Sequence, residues 1–281
     1  DLDQLVILKG PSGGIYGAGT GGSMLFQGPT LHGKKLEHQE MANSLGGYKQ
    51  SWDIQYAGNR VYASFWQQPG ARDWSAMKKQ LISHEYQRTI GQNGLLFLTS
   101  YYADVAYQTP GGLTLAQFKA KPFQARPAAG AFLSSADQQA TFKLKSYGTG
   151  FYLQNSWNGN WGYNLANSIQ VNQIENPTIR NYEIRQEPNF SSRAVIHYRQ
   201  NKSAIDFGYE FQIGQFDSQT FGNRRGVKDT LQLTQNTNIQ SANLFAQWDY
   251  QINKNWNSMI SLSANGYWTQ YIGNETNLTP R

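Results

Sequence analysis

The chain has 281 residues, enough for one large β domain or two ordinary ones, yet only 39% are hydrophobic and 15% charged, while 14% are aromatic; a soluble globular domain carries about a quarter charged residues. It lacks cysteine, which excludes disulfides, thiolate metal sites and cysteine nucleophiles, and no run approaches the ~18 apolar residues of a membrane helix, so any crossing would be made by strands. The net charge of +6 is spread over scattered Lys and Arg, without a basic stripe or an aromatic RNA-binding motif, so nucleic acid is not an expected partner.

Asn, Gln, Ser and Thr fill the polar positions, and 17 Tyr and 8 Trp accompany them. That mixture suits strands with lipid on one side and a wet lumen on the other. The chain opens on Asp1 without a charged n-region and apolar core, so an exported protein of this sequence would be a mature chain or an excised piece.

The apolar run Leu5-Val6-Ile7-Leu8 leads into a segment where eight of the chain's 28 glycines fall between Gly10 and Gly28. Glycines at this density permit sharp turns, positive φ or the close approach of another surface. Gly17-Ala18-Gly19-Thr20-Gly21-Gly22 satisfies G-x-G-x-x-G, but Ser23 to Phe26 and then Gly28-Pro29 follow where a dinucleotide fold requires a helix. No glycine precedes Lys and then Ser or Thr, so a P-loop fails. A glycine-rich turn between two short strands is physically adequate. The segment also resembles the end of the plug domain of TonB-dependent outer-membrane receptors: an apolar strand, then L-[KR]-G-P, Y-G and a G-G pair. The matching positions are Leu8-Lys9-Gly10-Pro11, Tyr16-Gly17 and Gly21-Gly22.

From about Lys35 the pattern has period two. Trp52, Ile54 and Tyr56 alternate with Ser51, Asp53 and Gln55. Trp161, Tyr163, Leu165, Ile169 and Val171 form one face of a second run, and Ile205, Phe207, Tyr209, Phe211 and Ile213 one face of a third. Leu244, Ala246, Trp248, Tyr250 and Ile252 do the same in a fourth, whose polar face is interrupted by Phe245. The runs last about nine to eleven residues, the span of a tilted transmembrane strand, where soluble strands are nearer five or six.

Ala57-Gly58-Asn59, Gly91-Gln92-Asn93-Gly94, Asn158-Gly159-Asn160, Asn201-Lys202 and Asn253-Lys254-Asn255 read as tight turns. Between them the sequence predicts longer connections at 67–74, 106–138, 173–191 and 215–229. Tight turns on one side and long loops on the other are the pattern of a transmembrane barrel, with eleven strands from Lys35. Tyr56, Tyr62, Trp157, Trp161, Tyr198, Tyr250 and Trp256 flank the tight turns, as in an interfacial girdle.

The longest connection adds a second resemblance to the same superfamily: Thr109-Pro110-Gly111-Gly112-Leu113-Thr114, Ala116-Gln117-Phe118 and Ala125-Arg126-Pro127 are similar to the G-L-T-x-x-Q-[FY] and A-R-P pieces of ferric-siderophore-type barrels. Leu113 to Lys121 fits a short helix capped by Thr114.

Chemistry is sparse. His32, His38, His84 and His197 show no metal-ligand spacing, and His84-Glu85 meets Arg88 where a zincin needs its second histidine. No G-x-S-x-G elbow and no glycosidase pair or calcium loop is visible. A barrel hydrolase using His197 with a nearby Ser stays open as a third-ranked reading. Lys119, Lys121, Arg126 and Arg224-Arg225 offer cations to an anionic ligand, or meet solvent and lipopolysaccharide. Trp66 and Trp74 either stack on a flat ligand or form an outer girdle.

The expected fold is therefore an all-β, partial antiparallel transmembrane barrel of about eleven strands, with residues 1–28 the end of a plug and residues 29–281 the N-terminal half of the barrel. The resemblance implies a receptor of the Gram-negative outer membrane, without enzymatic activity or cofactor. It takes up a scarce nutrient, a ferric siderophore first among candidates, and contacts lipid and lipopolysaccharide. A TonB energy-coupling complex would pull on a plug segment preceding Asp1. The rival reading is a soluble or surface β-sandwich, an adhesin or carbohydrate-binding protein, with strands nearer six residues and apolar faces pressed against a second layer.

Overall fold

The computed structural model describes residues 4–10, 14–16, 21–28, 31 and 33–275; Pro11 and Gly17 of the glycine-rich motif lie outside the described residues. Strands β1 (Gln4–Lys9) and β2 (Gly22–Gln27) pair antiparallel, and a single 3-10 turn at Gly14–Tyr16 lies between them. Lys9 pairs with Gly22 at the closing end of this hairpin, and the Gly10 N–H donates to the Gly21 carbonyl.

The rest of the described chain is one antiparallel sheet of eleven strands in sequence order. They are β3 (Lys35–Ala42), β4 (Tyr48–Tyr56), β5 (Asn59–Gln68), β6 (Met77–Ile90), β7 (Gly94–Gln108), β8 (Thr141–Ser156), β9 (Trp161–Pro177), β10 (Asn181–Gln200), β11 (Ser203–Arg224), β12 (Val227–Gln251) and β13 (Asn257–Glu275). Helix α1 (Leu115–Ala120) interrupts the connection from β7 to β8. Its cap is as expected: the Thr114 hydroxyl accepts from the Gln117 N–H while the Gln117 side chain accepts from the Thr114 N–H.

Burial is inverted relative to a water-soluble sheet. Among the described residues twelve buried positions are polar or charged and six are apolar, while Leu36, Leu244 and Leu262 are 60–79% exposed. On β4, Ser51, Asp53 and Gln55 are buried, and Trp52, Ile54 and Tyr56 between them are exposed. No second layer covers the apolar face among the described residues. Polar inside and apolar outside in a single sheet is the arrangement that lipid requires, and the sandwich reading fails on this point.

The five expected tight turns join β4 to β5, β6 to β7, β8 to β9, β10 to β11 and β12 to β13. The first shows why glycine is needed: Ala57 and Gly58 both have positive φ (50° and 76°), and a Cβ on Gly58 would lie 2.3 Å from the Gln87 carbonyl oxygen. Gly58→Ala is expected to cost about 1–3 kcal/mol, read as a lowered midpoint in denaturant unfolding of the folded protein.

Two connections differ from expectation. Residues 173–191 and 215–229 are mostly strand: β9 and β10 are joined by 178–180 alone, and β11 and β12 by Arg225 and Gly226, both with positive φ. Strands β10, β11 and β12 therefore reach 20, 22 and 25 residues, or up to about 80 Å of chain against a hydrocarbon layer of about 30 Å. The excess lies at the end opposite the tight turns. There the outward side chains include Gln186, Gln215, Asp217, Asn236 and Asn238, so water replaces lipid and the alternation loses much of its apolar half.

Candidate functional site

The 3-10 turn identifies which face of the sheet is the bore. The Gly14 N–H donates to the Ser261 hydroxyl at 2.6 Å, Asn243 donates to the Gly14 carbonyl at 3.4 Å, and Arg193 donates to the Ile15 carbonyl at 2.6 Å. A Cβ at Gly14 would sit 2.7 Å from the Ser263 Cβ and 3.0 Å from the Leu262 carbonyl oxygen, so only glycine lets the hairpin segment lie this close to the wall. Arg193 is also paired with Glu210 at 2.6 Å and lies 5.0 Å from the ring centre of Phe245. The apolar interruption of the polar face is thus the platform on which the anchoring arginine rests. Arg193→Met is expected to free the turn while leaving the wall intact, seen as faster hydrogen exchange at residues 14–16 with unchanged exchange in β10 and β11.

Direct cross-strand partners share a face, so the register carries this assignment along the sheet. Arg193 stands opposite Ala166, Ala166 opposite Tyr152, Tyr152 opposite Phe97 and Phe97 opposite Gln87. A second observation agrees: the buried Leu31, between hairpin and sheet, donates its N–H to the Gln87 side chain at 3.0 Å.

The bore face is lined with matched charges and hydrogen bonds. Toward the tight turns, Arg60 forks onto Asp53 at 2.7 and 3.0 Å and reaches Glu85 at 3.3 Å. Also at that end, His197 Nδ1 lies 2.5 Å from Asp206, whose carboxylate takes two further contacts from Arg199 at 2.7 and 2.9 Å. The described partner of His197 is thus a carboxylate shared with Arg199. Higher up, Tyr101, Ser146, Asn172 and Glu187 form a chain across four strands, with links of 3.2, 2.8 and 3.3 Å. Arg185 then joins Glu187 at 2.8 Å and Glu183 at 3.3 Å.

The outer connections fold onto one another. Arg72 donates to the Gln124 and Gly111 carbonyls at 2.9 and 3.0 Å, and Asn223 donates to the Gln138 and Thr178 carbonyls at 2.8 and 2.5 Å. Tyr182 and Glu175 lie at this end, beyond the lipid-facing span. Burial, then the Glu175 carboxylate 2.8 Å away, pushes the Tyr182 phenol up to about 12, and the hydrogen bond from Tyr182 holds the Glu175 carboxyl below its ordinary value.

The residues singled out by sequence separate in this setting. Trp74 is an internal post, its indole N–H donating to the Ala140 carbonyl at 2.6 Å. Arg126 is engaged by its own loop, donating to the Leu133 carbonyl at 3.1 Å. Lys119 and Lys121 are exposed at and just after the end of α1, and Arg224, the last residue of β11, and Arg225, in the connection after it, are also exposed. Trp66 stands opposite Lys49 and Lys79 on the bore face, not on an outer girdle. Tyr62, expected to flank the girdle, is opposite Asp53 and also faces the bore. The other expected girdle residues sit at the tight-turn end, with Trp161 and Tyr198 4.7 Å apart and Trp157 and Trp256 62% and 68% exposed. Arg193, Lys49 and Lys79 carry no local signature, and only their cross-strand partners reveal them.

No family model matches the chain, and no curated protein matches it by sequence. Solved structures do match. The ferripyoverdine receptor of the outer membrane of Pseudomonas aeruginosa aligns with a TM-score of 0.77 at 10% identity over 98% of this chain and 43% of its own. The ferric-catecholate import receptor Fiu from E. coli K12 aligns at 0.73 and 13% identity over 96% and 50%. The siderophore receptor PiuA from Acinetobacter baumannii aligns at 0.65 and 12% identity over 96% and 51%. The chain thus spans about half the length of these receptors, and it shares their fold over nearly all of its own length.

Proposed function

We propose that the chain is part of a TonB-dependent outer-membrane receptor, residues 1–28 ending its plug and residues 29–281 forming the first half of its barrel, for uptake of a ferric siderophore. The observation that carries this is the 3-10 turn seated on the polar face of a sheet whose opposite face is bare and apolar. The neighbours in fold are a ferripyoverdine receptor of the outer membrane, a ferric-catecholate import receptor and a siderophore receptor, which supports uptake rather than catalysis and a place in the Gram-negative outer membrane.

Strand parity adds an independent argument. Strands β3 and β13 are the two edges of the described sheet, and with eleven strands between and including them they run in the same direction. Two copies of such a wall would meet in parallel seams, whereas an antiparallel closed barrel needs an even number. Closure calls for a further odd number of strands, and eleven more reach the 22 of a large plugged barrel.

The test uses the full-length protein that carries this sequence. It is expected to fractionate with outer membranes, to migrate differently in detergent gels before and after boiling, and to restore growth of a deletion strain under iron limitation. Recovery in the soluble fraction, or normal iron uptake in the deletion strain with every ferric chelate supplied, overturns the reading.

A further inference from the structure

Cations on the bore face of the described strands are matched, with two exceptions. Arg60, Arg185, Arg193 and Arg199 each face a carboxylate. Lys49 on β4 and Lys79 on β6 stand directly opposite Trp66 from its two sides, and among the described residues neither meets an acidic partner. Both belong to the bore face, since Lys49 alternates in step with the buried Ser51 and Asp53, and Lys79 with Gln87. Partners in an antiparallel pair have Cβ atoms about 4.5–5.5 Å apart, so the two lysine side chains leave the wall on either side of the indole. Trp66 is 37% exposed. One step further out, Tyr107 stacks on Phe142 at 5.1 Å, and Tyr107 faces Met77, two residues from Lys79.

We propose that Lys49, Trp66 and Lys79 form a subsite for a flat aryl anion, a catecholate or an aromatic carboxylate, with the indole stacking on the ring and the two ammonium groups taking its negative oxygens. This deepens the receptor reading and rests on it. The selection is joint. A neutral hydroxamate gains nothing from two unmatched cations, a phosphate uses the charges but not the indole, and a sugar uses the indole but not the charges. The two lysines lie two strands apart, about 9.5 Å, which leaves room for one aromatic ring between them. Trp66 is two residues from the outer end of β5, where a ligand arriving from outside meets the wall before the plug.

The test compares binding of two probes to the full-length receptor in outer-membrane vesicles: the anionic ferric complex of 2,3-dihydroxybenzoate and neutral ferric acetohydroxamate. K49Q and K79Q are each expected to weaken the anionic probe on the order of tenfold and to leave the neutral probe unchanged, with K49R and K79R restoring affinity. W66A is expected to weaken it about three- to tenfold. Boiling-dependent gel migration verifies that each variant is folded. Unchanged affinity of the anionic probe in the K49Q/K79Q double variant, equal losses for both probes, or inorganic phosphate competing as well as free 2,3-dihydroxybenzoate would each overturn the aryl-anion subsite while leaving the receptor standing. Failure of the unmodified protein to bind or import any ferric chelate would overturn both.

Discussion

Leu244→Arg is expected to cost about 2–4 kcal/mol of stability in lipid, measured by denaturant titration of the full-length protein refolded into vesicles. Leu244 is 60% exposed on the outward face, seven residues up β12 from its tight turn. On a tilted strand that is about 16 Å of height, near the middle of a hydrocarbon layer about 30 Å thick. In water an arginine there would be harmless, because the position is open; only hydrocarbon makes it costly. Gln212→Arg, somewhat higher on the bore face beside Glu210, is expected to stay within about 0.5 kcal/mol. Equal tolerance at the two positions would mean that the apolar face does not meet lipid.

A loss of similar size is expected from Arg60→Met. The Arg60 and Asp53 side chains are 6% and 7% exposed and meet through two hydrogen bonds. Removing one partner of a buried pair leaves the other charge uncompensated, at about 3–5 kcal/mol. Lys35, 2.9 Å from Asp53 and 40% exposed, retains part of the compensation, which places the expected value near the lower bound. The double variant Arg60→Met/Asp53→Leu is expected to be more stable than Arg60→Met alone, because both desolvation penalties are removed together. Additive losses in that cycle would show that the two side chains act separately.

Both expectations depend on knowing which face is which, and that knowledge came from two sources. Alternation at Trp52 to Tyr56 or at Ile205 to Ile213 shows directly which residues lie together, because side chains of a strand point to opposite faces in turn. The same signal counted eleven strands and found the five tight turns, where Asn and Gly tolerate positive φ. It failed at 173–191 and 215–229 for a definite reason. Beyond the lipid both faces of a strand can be wet, so Gln215, Asp217 and Gln219 look like a loop while the backbone ladder continues through them. Tyr62 was misplaced for another reason, and the same ambiguity kept two readings open for Trp66: an aromatic residue near a strand end fits a girdle or a lumen equally well until its cross-strand partners are known.

The sequence alone determined the strand count, the tight turns, the membership of each face and the glycines of the hairpin, because all of these follow from local periodicity and backbone freedom. Tertiary structure alone decided that the polar face is the bore, that Arg193 holds the turn at Gly14–Tyr16, and that Lys49, Trp66 and Lys79 share a row. Those facts join residues far apart in the chain through a hydrogen-bonded register. A shift of one residue in any ladder would reverse the faces without changing a single local pattern.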